Sequence, residues 1–135
     1  MDYIEQRNRT DFVVRDYECD MQGIVNNAVY QNYLEHARHQ FIKARGLDFA
    51  EITLQGIHLV LIKAELEYKR SLQSGDAFYI ETSVERISKL KLAFIQAVHR
   101  SEDDQLMLSA RMTVTSTTKE GRPVVFEQAE RLLTQ

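Results

Sequence analysis

The chain of 135 residues has one cysteine, one proline and four histidines. The single Cys19 excludes an internal disulfide framework and reads as a small, partly buried hydrophobe or as a reactive thiol. His36, His39, His58 and His99 with one cysteine give no metal-ligand spacing, so no metal is expected. No apolar run approaches the roughly 20 residues that a membrane helix needs. The opening Met1-Asp2-Tyr3-Ile4-Glu5-Gln6-Arg7 is charged and lacks the apolar stretch of a signal peptide, so a cytoplasmic protein is expected. A formal charge of −3 gives no basic excess to draw nucleic acid or an acidic membrane as partner. Internal repeats, linkers and low-complexity segments are absent from the sequence.

What is present is an ordinary globular composition, 44% apolar and 27% charged. The length sets one domain, residues 1–135, with a single core. Phe12-Val13-Val14, flanked by Thr10 and Arg15, reads as a short first strand. A helix is predicted from Asn26 or Asn27, because Asn caps helix starts well. Its buried face is predicted to hold Tyr30, Tyr33, Leu34, Ala37, Phe41 and Ala44, spaced by threes and fours. Gly46 suits the position after the helix end. Asp48 to Leu54 offers one more short turn of helix.

From Gly56 the pattern changes to strands. Ile57 to Tyr68, Ala77 to Ile87, Leu92 to Arg100 and Leu106 to Ser116 are predicted, separated by turn residues such as Gln73-Ser74-Gly75-Asp76. In the second of these, Phe78, Ile80, Thr82 and Val84 fall on one face and Tyr79, Glu81, Ser83 and Glu85 on the other. Short connections favour antiparallel pairing. One long helix with a wide apolar face needs a surface to cover it. The expectation is an α+β domain in which a curved antiparallel sheet of about five strands wraps a central helix. Gly121-Arg122-Pro123 makes a last turn, and the tail is read as a short strand or a frayed helix.

Chemistry concentrates between the first strand and the helix, in Tyr17-Glu18-Cys19-Asp20-Met21-Gln22-Gly23-Ile24-Val25-Asn26-Asn27-Ala28-Val29-Tyr30. A helix N-terminus presents unpaired N–H groups and partial positive charge. A carboxylate next to such a terminus makes a site for attack on a carbonyl whose oxygen becomes negative. The plainer function of Asp20 is to cap the helix or the Gly23 turn.

This segment resembles the hotdog-fold acyl-CoA thioesterases of the 4-hydroxybenzoyl-CoA thioesterase type. The resemblance rests on Tyr17, on Asp20-Met21-Gln22-Gly23-Ile24-Val25, on Asn26-Asn27-Ala28-Val29-Tyr30 and on Glu35-His36-Ala37-Arg38. It continues more weakly through Glu67-Tyr68, Gly75-Asp76 and the strand Phe78 to Val84, and ends near Gly121-Arg122-Pro123. It implies an acyl-CoA thioesterase with Asp20 as the catalytic carboxylate, nucleophile or general base, and with the Asn27 backbone N–H polarising the thioester carbonyl. It also implies homodimers or homotetramers with the site between subunits, and no cofactor, since coenzyme A is part of the substrate. Many members carry His or an aromatic where this chain has Asn26 and Asn27. A backbone donor survives that change and a side-chain role does not.

Other residues follow from the same resemblance. Gly23 and Tyr30 are candidates for the substrate's surroundings, although Tyr30, with Tyr33 and Phe41, also suits the core. His58 is expected to approach a neighbouring subunit's site. Lys89 and Lys91 are candidates for the coenzyme A phosphates, with a solvated hairpin as the plain alternative, and Arg70 is a weaker candidate. Glu35 is a second candidate acid, because some hotdog enzymes place theirs on the helix. The alternative function is a non-catalytic acyl-CoA binding or sensor module. A carboxylate retained beside the thioester favours the enzyme.

Overall fold

Tyr30, Tyr33, Leu34, Ala37 and Phe41 recur at helical spacing and are all buried, which makes one stripe of helix α1 (Asn27–Ala44) the centre of the core. The computed structural model describes residues 8–133. Asn26 caps α1 by accepting the Ala28 N–H at 3.2 Å, and Gly46 follows its end at φ +79°, a conformation that costs glycine little. Ala44, expected on the buried face, is exposed. Arg45 takes the core side there, its guanidinium 3.5 Å over the Phe41 ring. Ile42 and Arg38 are also buried, on the flank of the stripe.

The five strands are β1 (Arg9–Val13), β2 (His58–Tyr68), β3 (Ala77–Arg86), β4 (Lys91–Arg100) and β5 (Gln105–Thr117). They form one sheet in the order β1-β3-β4-β5-β2, each pairing antiparallel. Phe78, Ile80 and Thr82 of β3, with Leu92, Phe94, Gln96 and Val98 of β4, are buried on the face that meets α1. A short helix α2 (Phe49–Leu54) follows α1, and the chain closes with the single turn α3 (Glu130–Leu133). This is the hotdog arrangement, a sheet around one long helix.

Tyr79 departs from its expected polar face and is buried. Arg9 lies 3.8 Å over one side of its ring and His99 stacks on it at 5.1 Å. The two sheet edges differ. β1 is five residues long and carries an Arg9–Asp11 ion pair, features that discourage pairing with another chain. β2 is eleven residues long, with a register shift between Leu61 and Lys63, and it exposes Val60, Leu61, Ile62 and Tyr68.

Candidate active site

The segment after β1 folds into a small hairpin that stands at the start of α1. Cys19 pairs with Val25, and Asn26 N–H donates to the Glu18 carbonyl at 3.0 Å. At the tip, Asp20 N–H donates to the Ile24 carbonyl and Gly23 N–H to the Asp20 carbonyl. Gly23 adopts φ +81°, and a Cβ built on it meets nothing within 4 Å, so the turn itself is what calls for glycine there.

Asp20 is exposed, and its two oxygens have separate roles. Oδ1 accepts the Gln22 N–H at 2.8 Å and, more weakly, the Ile24 N–H at 3.4 Å. Oδ2 has no hydrogen-bond partner among the described residues. The turn-capping role therefore holds for one oxygen and leaves the other open to solvent. Asn27 is the first residue of α1, and its backbone N–H has no acceptor among the described residues. Capping falls to Asn26, which leaves the Asn27 donor unused at the positive end of an 18-residue helix.

Two tyrosines of α1 hold this loop in place. Tyr33 donates its O–H to Glu18 Oε1 at 2.9 Å, while the same oxygen accepts Arg15 N–H. Burial and the Glu18 carboxylate push the Tyr33 phenol far above its ordinary range, so it stays a donor. Tyr30 is 2% exposed, and its hydroxyl accepts the Leu72 N–H at 3.0 Å. Leu72 in turn accepts Val25 N–H on its carbonyl at 2.9 Å, and Ile24 bridges to Gln73. Tyr30, read both as core and as a candidate for the substrate's surroundings, is buried under the loop, where it positions Leu72 and, through it, Val25. Neither the Glu18–Tyr33 tie nor the Leu72 segment stands out in the sequence, because each joins residues far apart along it.

The other expected site residues lie elsewhere. His58 begins β2 opposite Thr117; Lys91 begins β4 opposite Thr115, and Lys89 sits exposed in the turn before it. These three therefore gather at one end of the sheet. The loop bearing Asp20, Gly23 and Asn27 is at the other end, where Val14 N–H donates to the Asp76 carbonyl just before β3. The ten residues of β3 separate the two groups by about 30 Å. Within one chain they do not meet. Glu35 is exposed and faces His39 at 4.0 Å. His36 is exposed, whereas His39 and His99 are half-buried against the rings of Phe49 and Tyr79.

Comparisons with known proteins show the family and the fold. Residues 14–130 match the family model described as the thioesterase-like superfamily. A chloroplastic acyl-acyl carrier protein thioesterase of Arabidopsis thaliana is 34% identical over 82% of this chain, which spans 58% of that relative's length. The crystal structure of a hypothetical protein from Aquifex aeolicus superposes with a TM-score of 0.85 at 28% identity, covering 92% of this chain and 98% of the other. A 1,4-dihydroxy-2-naphthoyl-CoA thioesterase from Synechocystis has the same fold, with a TM-score of 0.85 at 16% identity over 91% of each chain.

Proposed function

Starting from the fact that the chain belongs to the thioesterase-like superfamily, we propose that it hydrolyses the thioester of an acyl-CoA to the free acid and coenzyme A. The observation that carries this reading is the free Asp20 Oδ2 on a hairpin anchored beside the unused Asn27 N–H. The N–H meets the carbonyl oxygen as it gains negative charge, aided by the partial positive charge of the helix end. Asp20 either attacks the acyl carbon, giving an anhydride that water then opens, or removes a proton from an attacking water. In both routes the C–S bond breaks, the acyl carbon gains a water oxygen, and the sulfur leaves with a proton as the coenzyme A thiol.

The reading includes a second copy of the chain. β2 is the long, apolar edge, and two β2 strands paired antiparallel extend the sheet across both copies. Such pairing turns the His58 end of one copy toward the Tyr68 end of the other. Tyr68 lies against Tyr30, with ring centroids 5.6 Å apart, and so marks the end that holds Asp20. The basic turn with Lys89 and Lys91 then approaches the other copy's Asp20, where it serves the coenzyme A phosphates. These exposed cations act through salt-sensitive attraction.

The test is release of free thiol from a panel of acyl-CoAs and acyl carrier protein thioesters, short to long, aliphatic and aromatic. Cleavage of at least one class establishes the hydrolase and ranks the acyl groups. Binding of the panel with no thiol release contradicts it and leaves the binding module.

A further inference from the structure

On the β2 side of α1, helix and sheet line a half-open cavity of about 200 Å³. Its walls include Ile42, Phe49, Leu59 and Phe94, all apolar. Glu35, Arg38 and His39 of α1 bring polar and charged groups to it. Arg38 lines the cavity and is 9% exposed. Its Nη1 donates to Gln96 Oε1 at 3.2 Å, and Gln96 is fixed in that orientation because its Nε2 donates to the Leu34 carbonyl at 3.0 Å and to Thr82 Oγ1 at 3.2 Å. Arg38 has no carboxylate within 4.0 Å among the described residues. Glu35, one turn earlier, acts on it only through its field, with its own oxygen near His39. A guanidinium has five N–H donors; Arg38 Nε and Nη2 are not among the buried side-chain atoms that lack a partner, so they still reach solvent, and a ligand that displaces that solvent exposes them to the cost of burial without an acceptor. The remaining donors therefore invite an acceptor that enters with a ligand.

The path to the cavity starts at the candidate active site. Asn27, Gln31, Glu35, Arg38 and Ile42 follow one another by threes and fours, so they lie along one side of α1. Asn27 and Arg38 are about 16 Å apart along the axis. Asn27, Gln31 and Glu35 are exposed, and the stripe sinks into the cavity at Arg38 and Ile42.

We propose that this cavity takes the acyl chain of the thioester and that Arg38 hydrogen-bonds a neutral oxygen, oxo or hydroxyl, carried on that chain away from the thioester carbon. The inference rests on the thioesterase reading for the identity of the chain as an acyl group. An unsubstituted chain strips water from Arg38 and puts nothing in its place. A carboxylate satisfies Arg38 but lies beside the charge of Glu35 at the cavity mouth. A neutral acceptor avoids both penalties.

The experiment compares thioether analogues of acyl-CoAs, in which a methylene replaces the carbonyl so that no turnover intervenes. Each length is prepared unsubstituted and with a terminal hydroxyl, aldehyde or carboxylate, and binding is measured by calorimetry. The wild type is expected to bind the hydroxyl or aldehyde form about 10–100-fold tighter than the plain chain at the best length. Arg38→Met removes that preference, and Arg38→Lys keeps part of it. Leu61→Trp, which fills the cavity from β2 and leaves Arg38 in place, weakens every long chain. Equal affinity for plain and substituted chains in the wild type overturns the proposal, as does a preference that survives Arg38→Met or long-chain binding unaffected by Leu61→Trp. The outcomes are separable from the thioesterase reading. An Arg38-dependent preference without cleavage of any thioester refutes the hydrolase and keeps the oxygen-reading cavity; cleavage without such a preference does the reverse.

Discussion

Replacing Tyr30 with Phe removes one oxygen and keeps the ring, so the packing against Tyr33 and Tyr68, with centroids 6.0 Å and 5.6 Å away, is retained. What is lost is the acceptor for the Leu72 N–H, in a residue that is 0% exposed. A buried N–H left without a partner costs about 1–3 kcal/mol. The hydroxyl's own proton has no acceptor among the described residues, and removing it relieves a smaller cost, which places the net loss at about 1–2 kcal/mol. For a chain of this size that lowers Tm by roughly 3–10 °C. Urea denaturation at a fixed protein concentration, which holds any association constant, should show a lower midpoint with an unchanged slope. Because Leu72 also binds Val25, and Ser74 N–H binds the Gly23 carbonyl, kcat for thiol release should fall more than KM changes. A stability change under about 0.5 kcal/mol, the range of an ordinary surface substitution, would refute the role given to Tyr30.

Gly23→Ala should cost about 1 kcal/mol and lower thiol release, because the added Cβ meets no atom but the residue is held at φ +81°; a variant with wild-type melting and activity contradicts the tight turn. Light scattering at micromolar concentration should report a dimer or a larger assembly, and the mass of a single chain contradicts the shared site. Arg100 grips Asp103 through Nε at 3.0 Å and Nη2 at 2.7 Å and holds its carboxyl down at about 2. That folded value lies below the unfolded one near 3.9, so the contribution to stability is present above about pH 4 and is lost as pH falls through about 2. A carboxyl NMR titration should find this midpoint, and Arg100→Met should return it to the ordinary range; an unmoved midpoint contradicts the cause.

The elements were legible where the signal is local. The spacing from Tyr30 to Phe41, the Asn cap and Gly46 place α1 within a residue of its observed ends, and the alternation in β3 gives its buried face. The exceptions have tertiary causes. Tyr79 is covered by Arg9 and His99, brought from strands on both sides of β3, and Ala44 is displaced from the core face by Arg45 stacked on Phe41. The Asp20 loop was legible because carboxylate, turn glycine and helix cap lie within eight residues. Strand order is not written locally. The order β1-β3-β4-β5-β2 puts His58, Lys89 and Lys91 together at the end of the sheet away from Asp20, and it sets the buried Arg38 on the wall of a cavity. In the sequence, Arg38 is only one more charge on a helix.

The central claim is that the free oxygen of Asp20 does the chemistry beside the Asn27 N–H. Asp20→Asn keeps the Oδ1 that accepts from Gln22 and Ile24 and so preserves the turn, while it removes the nucleophile or base. Thiol release by wild type and variant, measured side by side on the best acyl-CoA of the panel, tests this most directly. A fall of at least about a hundredfold with unchanged melting is the predicted result. Release that survives the substitution would contradict the account and turn attention to Glu35 and His58.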